Sequence, residues 1–384
     1  MRRTLTLVTA CTLLASGCTV FGSSHSTAPP ARTHAGGLTP VLPLRVALPR
    51  IERFVEHERG LRFKHPVTVR LLGRKAFLAK LHKGQSQPKP AEVEQLTATL
   101  AALGLVTPRI DIVKAFRSAY DAGTLGFYDF KDKRLYVRGT RATPGARAVL
   151  SHELTHALDD QWFGLRRPAL EKDNQEKQIA FTALSEGDAE RTRTAYEAAM
   201  TTADKAAATR EENGQSRPPK VPQVVLLLIG FPYIVGPRFV DALVAEGGTK
   251  AISAAFRRPP VSSEQLLDPT AYLQEDRPRH VATPRSDGVR VDHSDLGTIG
   301  LLLMLVHRLP PADAQAAVRG WGGDQYATWR AGEHRWCLRD TVVMDDAAAT
   351  GRFDAALARW VAASHGRAHV QTFGARTTFV TCSS

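Results

Sequence analysis

Apolar and polar positions follow clear periods along most of the chain. Residues 47–58 read as a helix. Over 67–72, Val67, Val69 and Leu71 alternate with Thr68 and Arg70, which predicts a strand. Val93, Leu96, Leu100 and Leu103 recur at helical spacing over 90–103, and Gly104 ends the run. Residues 110–122 form another predicted helix. Two β-rich runs in 125–137, split by Lys131-Asp132-Lys133, predict a hairpin. Pro144-Gly145 then opens a helix to about residue 160, on which Val149, Leu150, His152, Glu153, His156 and Ala157 share adjoining faces. A second helix covers 175–200. Residues 201–222 are polar and end in prolines, so they read as an exposed loop.

Residues 223–231 are strongly apolar. Gly230 and Pro232 interrupt the run before it could span a bilayer, so a buried core helix is expected, continuing over 237–256 with a break at Gly247-Gly248. The remaining predicted elements are an apolar helix at 296–308, a hairpin over 326–344, a helix over 345–363 and a strand at 377–381. There is no internal repeat. The expected class is α+β, mostly helical, with a small antiparallel sheet. One domain is expected over 46–384, with an α/β extension from about residue 320.

The first 45 residues stand outside this pattern. Met1-Arg2-Arg3 precedes a short apolar stretch, residues 4–17, that ends in small residues before Cys18. This has the form of an export signal of 17 residues, and it resembles a bacterial lipobox with Cys18 as the lipidated residue. An ordinary secretory signal cleaved nearby is the other reading. Residues 18–45, rich in Ser, Thr, Pro and Gly, read as a flexible tether. The expected location is therefore the extracytoplasmic side of the cell membrane. Cys11 goes with the signal and Cys18 with the lipid, so Cys337 and Cys382 remain. An oxidising compartment would pair them. Lys and Arg total 51 against 38 Asp and Glu, a formal +13. The basic residues are scattered rather than striped, and no nucleic-acid motif accompanies them.

His152-Glu153-Leu154-Thr155-His156 is an HExxH motif. On a helix, residues i and i+4 lie one turn apart on one face. Two imidazoles so placed can reach one Zn²⁺, and Glu153 beside them can act as general base toward a water on that ion. From the frequencies of His and Glu, about 0.02 such motifs are expected by chance in a chain this long. A catalytic zinc needs a third protein ligand and one open position. Glu186, in Leu184-Ser185-Glu186-Gly187-Asp188-Ala189-Glu190, is the candidate, and Glu190 one turn later can orient a ligating histidine from behind. Asp188 points elsewhere and is a candidate for a bond between helices. His293, Tyr233 and Tyr272 are candidate donors for a tetrahedral oxyanion, with His293 placed first.

With these motifs the chain resembles the gluzincin zinc metallopeptidases, the thermolysin-like group. The stretch HELTHALDDQ, the LSEGDAE block, residues 259–265 (PPVSSEQ) and residues 320–324 (GWGGD) also resemble a family of uncharacterised, often exported bacterial proteins, over roughly residues 50–330. The resemblance implies a zincin-like catalytic domain with one zinc ion per chain held by His152, His156 and Glu186. It implies peptide-bond hydrolysis with Glu153 as general base, and a peptide or protein as substrate. It also implies that the 125–137 hairpin offers an edge strand to an extended peptide. The alternative is a catalytically inactive zincin-like scaffold or binding protein of the envelope.

Overall fold

A computed structural model describes residues 41–84, 87–167, 170, 175–215 and 219–384. The expected signal segment, Cys18 and most of the tether lie outside the described residues. The tether, expected to run to residue 45, ends earlier. Leu42 already pairs with Ala142, and the first helix among the described residues, Leu44–Arg59, carries Pro49 inside it. Its apolar stripe buries Ala47, Ile51 and Val55, and Gly60 closes it in the left-handed conformation at φ 63°.

The class is α+β with helices in excess, as the patterning implies, but the described residues form two small sheets rather than one. The first has β1 (Thr68–Leu72), β2 (Gly126–Asp129) and β3 (Arg134–Arg138) in the order β1-β3-β2. The hairpin β2–β3 is antiparallel as expected, whereas β1 joins β3 in parallel. The second has β4 (Val289–Ser294), β5 (Trp321–Arg330), β6 (Trp336–Met344), β7 (Ala368–Phe373) and β8 (Arg376–Cys382). Its order is β4-β5-β6-β8-β7, antiparallel throughout. Cys337 and Cys382 face each other across β6 and β8 and form a disulfide that closes 45 residues, as cysteine use led us to expect.

The motif helix, Pro144–Phe163, lies at the centre. Thr143 caps it by accepting from the Ala146 N–H, and Pro144 occupies its first turn. Beside it run the partner helix, Gln175–Ala198, and a long helix, Gln223–Arg257, that loses helical geometry at Gly247 and Gly248 as expected. The long helix is long and apolar enough to cross a membrane, yet much of it is buried in the protein core.

The expectation for residues 201–222 also fails. Much of the segment read as an exposed loop, 201–222, is a helix, Thr202–Gln215. It has no apolar stripe and docks through charge instead. Glu211 accepts from Thr143 Oγ1 and the Gly145 N–H, and Asp204 pairs with Arg147 at 2.9 Å. Further short helices, Arg74–Gly84, Ser263–Leu267, Pro269–Leu273 and Pro311–Val318, were not anticipated.

The 259–265 and 320–324 blocks meet at a cluster of buried acids. Glu176, in the first turn of the partner helix, accepts from the Ser263 N–H at 2.6 Å and the Ser263 hydroxyl at 2.7 Å. Asp324 accepts from the N–H groups of Leu296 and Gly297 and from Trp321 Nε1. It thereby serves the N-terminus of the Gly297–Val306 helix, where an anion is favoured. Asp295 and Asp340 complete the cluster. Burial and then Asp295 push Asp324 up to about 7, and burial and then Asp324 raise Asp340 well above the usual carboxylate range.

The sign follows from proton linkage. A raised native pKa means that the folded state holds its protons more tightly than the unfolded chain, whose Asp titrates near 3.9. The contribution to stability is therefore full in acid and is lost as pH rises from about 4 through 7, the range set by Asp324. Asp340→Asn removes one of these buried acids. We expect it to unfold at higher urea than the parent above pH 7, by about 1–3 kcal/mol, with the difference shrinking toward pH 4. A constant difference across that range would refute the assignment.

Candidate metal centre

His152, Glu153 and His156 lie on one buried stretch of the motif helix, each no more than 1% exposed. Glu186 reaches them from the partner helix. His152 Nε2 is 3.1 Å from His156 Nε2 and 3.2 Å from Glu186 Oε2, and His156 Nε2 is 3.3 Å from the same oxygen. The three atoms form a nearly equilateral triangle. Ligands about 2.0–2.1 Å from one tetrahedral ion stand about 3.3–3.4 Å apart, so the triangle has the dimensions of one face of such a site.

The far side of each ring is also engaged. His152 Nδ1 lies 3.3 Å from Glu190 Oε2, and His156 Nδ1 lies 3.2 Å from Ser185 Oγ. With these contacts taking the Nδ1 protons, the lone pairs of both Nε2 atoms converge on the Glu186 carboxylate. Three electron-rich atoms so placed repel one another unless a cation or a proton sits among them. The protein groups set strong fields on each other. Burial alone would lower His152, but Glu186 and Glu190 raise it to about 10. Burial would raise Glu186, yet His156 and His152 hold it down to about 2. Burial pushes Glu153 up to about 8, against the pull of His152.

Glu153 is placed by β2. The Tyr128 N–H donates to its carboxylate, while Oε2 is buried without a partner. Gly126 permits this approach, since a Cβ there would stand 2.5 Å from Val149 Cγ1 and 3.0 Å from Glu153 Cγ. Asp188 does bridge helices, pairing with Arg59 Nε at 2.5 Å while Arg59 Nη2 meets Asp159 at 2.9 Å.

Of the three candidate donors, the structure brings Tyr233 to the cluster. Its ring stacks near that of His152, with centroids 6.3 Å apart and planes at 22°. Tyr272 instead packs edge-on against Phe239, and its hydroxyl donates to the Arg258 carbonyl. His293, placed first from sequence, sits half-buried in β4 opposite Ala327. Among the described residues no hydrogen bond or ion pair ties it to the cluster. Sequence reasoning passed over Ser185, although it adjoins Glu186, and the Tyr128 N–H, which no side-chain pattern could reveal. A cavity of about 350 Å³ opens between the N-terminal part of the motif helix and the Thr202–Gln215 helix, with Leu125, Val149, Arg193 and Glu197 in its wall and none of the cluster residues lining it. Arg193 also lies 3.6 Å from Glu190.

The approach of Tyr233 depends on a crossing of two helices at glycine. A Cβ on Gly187 would come within 2.3 Å of the Gly236 carbonyl, and one on Gly236 within 2.2 Å of the Ala183 oxygen. Gly187 adjoins Glu186, and Gly236 is one turn beyond Tyr233.

A family described as a domain of unknown function (DUF8575) matches residues 284–382. The matched segment carries His293, the 320–324 block and both bridged cysteines, and it lies outside the His152–Glu190 cluster. No curated protein and no solved structure matches the chain.

Gly236→Ala should push the two helices apart. We expect about 1–3 kcal/mol of destabilisation and weaker divalent-metal binding with the helical circular dichroism retained. Gly73→Ala, where nothing lies within 4 Å, serves as the control and should change neither. Unaltered metal binding in a stably folded Gly236→Ala protein would show that the crossing does not set the cluster.

Proposed function

We propose that this protein is a zinc-dependent peptidase whose metal is held by His152, His156 and Glu186. The observation that carries this reading is the 3.1–3.3 Å triangle of donor atoms with the buried Glu153 carboxylate beside it. A zinc ion so held acts as a Lewis acid and makes water a nucleophile at neutral pH.

The residues of the chain divide the remaining work. Glu190 and Ser185 fix the two imidazole rings through their Nδ1 atoms, so the Nε2 lone pairs stay aimed at the metal. Glu153 takes the proton from the attacking water and returns it to the leaving amine. Tyr233 offers its hydroxyl to the oxyanion that forms on the substrate carbonyl. The edge strand β2 runs past Glu153, so an extended peptide paired along it would bring a carbonyl to that carboxylate. The Cys337–Cys382 bridge supports an exported protein, and the residues before Cys18 support a lipid anchor there.

Metal analysis and peptide-library turnover test the roles separately. Glu153→Gln should keep one zinc per chain and lose most turnover, because the ligands survive and the base does not. Glu186→Ala should lose zinc, and Glu190→Ala should bind it about 10–100-fold more weakly. Full zinc in Glu186→Ala would remove Glu186 from the metal. A zinc-loaded parent without turnover would leave a metal-holding binding protein.

Tyr233→Phe removes one hydroxyl and little volume. We expect kcat to fall by about 10²–10³ with KM and zinc content little changed. An unchanged kcat would return the oxyanion role to another donor.

A further inference from the structure

Asp160 lies two turns beyond Glu153 on the motif helix, so the two carboxylates share one face. Asp160 is buried, and both of its oxygens are engaged. Oδ1 accepts from the Leu165 N–H at 3.0 Å, just past the helix end. Oδ2 accepts from the Tyr128 hydroxyl at 3.0 Å and from Lys133 Nζ at 2.6 Å. Both donors belong to the β2–β3 hairpin. Tyr128 is on β2, and Lys133 is the last residue of the turn before β3. Lys133 bends the chain at a left-handed φ of 55°, and its N–H donates to the Asp129 carbonyl at 2.8 Å. From the other side of the turn, Lys80 donates to Asp129 and Asp132, each at 2.9 Å. The turn is thus held between the Arg74–Gly84 helix and the motif helix, and Asp160 is the hold on the motif helix.

This hold acts close to the metal cluster. β2 has four residues and is an edge strand, too short to fix its own position. Gly126, two residues before Tyr128, lies so near the general base that a Cβ there would stand 3.2 Å from Glu153 Oε1. Glu153 Oε2 is buried without a partner. β2 therefore bears on one oxygen of Glu153 and leaves the other free.

The geometry points to Asp160 as a positioning residue for the general base. Through Tyr128 and Lys133 it fixes β2 against the motif helix, and β2 in turn fixes the Glu153 carboxylate with Oε2 free to take the proton. This rests on the peptidase reading above, since it assigns how the base of that reaction is held. Asp160 itself touches neither substrate nor metal.

Kinetics on the zinc-loaded full chain tests the assignment. Tyr128→Phe removes one hydroxyl and little volume, and it keeps the test open should Asp160→Ala misfold. We expect kcat to fall about 10–100-fold in either variant, with KM and zinc content little changed, as displacement of a catalytic group by about 1 Å does. Because Asp160 acts through Glu153, Tyr128→Phe should cost nothing further in a Glu153→Gln background. An unchanged kcat in Tyr128→Phe, or an equal loss in both backgrounds, would overturn the assignment. Amide exchange reads the hold without turnover. Exchange over residues 126–138 should quicken about 10-fold in Tyr128→Phe, as loss of a hydrogen bond to a charged group does, while the 144–163 helix keeps its protection. Unchanged exchange over the hairpin would refute the hold. That outcome is distinct from a zinc-loaded parent without turnover, which would refute the peptidase reading.

Discussion

The Arg59 guanidinium holds together the part of the molecule on which the metal cluster stands. It enters from the end of the first helix and meets Asp159 on the motif helix and Asp188 on the partner helix, all three side chains fully buried. Asp159 is three residues beyond His156, and Asp188 is two beyond Glu186. One cation therefore fixes the relative position of the two helices that supply the metal-facing atoms. Burial would lower the Arg59 pKa, but the two acids raise it, so it remains a cation. Burial, and with it Asp188, raises Asp159 well above the usual carboxylate range against the pull of Arg59. Removing such a partner leaves buried charge uncompensated, at a cost of about 3–5 kcal/mol.

From that clamp the cluster is built by backbone spacing and close helix packing. HExxH places two rings by helical period alone. Glu186 needs the partner helix at the right distance and rotation, which Arg59 sets on one side and the Gly187–Gly236 contact on the other. Glu153 needs β2 against the motif helix, which Gly126 permits. Each chemical group is thus placed by a contact that tolerates little added volume, as expected where a site must be held to a fraction of an ångström.

What could be read in the sequence divides along the same line. His152, Glu153 and His156 were legible because their geometry is local. Glu186 and Glu190 were legible because they repeat one turn apart on the next helix. Tyr233 could not be ranked above His293, because its approach to His152 comes from a helix crossing that leaves no periodic trace. The central strands β5, β6 and β8 were anticipated, whereas β4 and β7 were not. Both are edges of their sheet, half-wet, and so lack strong alternation. The Thr202–Gln215 helix was missed for a related reason. It is held by Glu211 and Asp204 rather than by an apolar stripe, and the hydrophobic period is then silent.

The Pro90–Ala102 helix carries a consequence for how this chain is divided. Ala98, Ala101 and Ala102 pack into the same core as Trp321, Leu338, Trp360 and Phe379. Thr99 meets Thr328, and Thr381 donates to the Ala102 carbonyl. The segment matched by the family, 284–382, therefore takes part of its interior from residues nearly two hundred positions earlier. Its boundaries do not enclose a self-contained core. Separated from the rest, its sheet would present a bare apolar face, and the partner that covers that face here would have to be replaced by another helix or by a second copy.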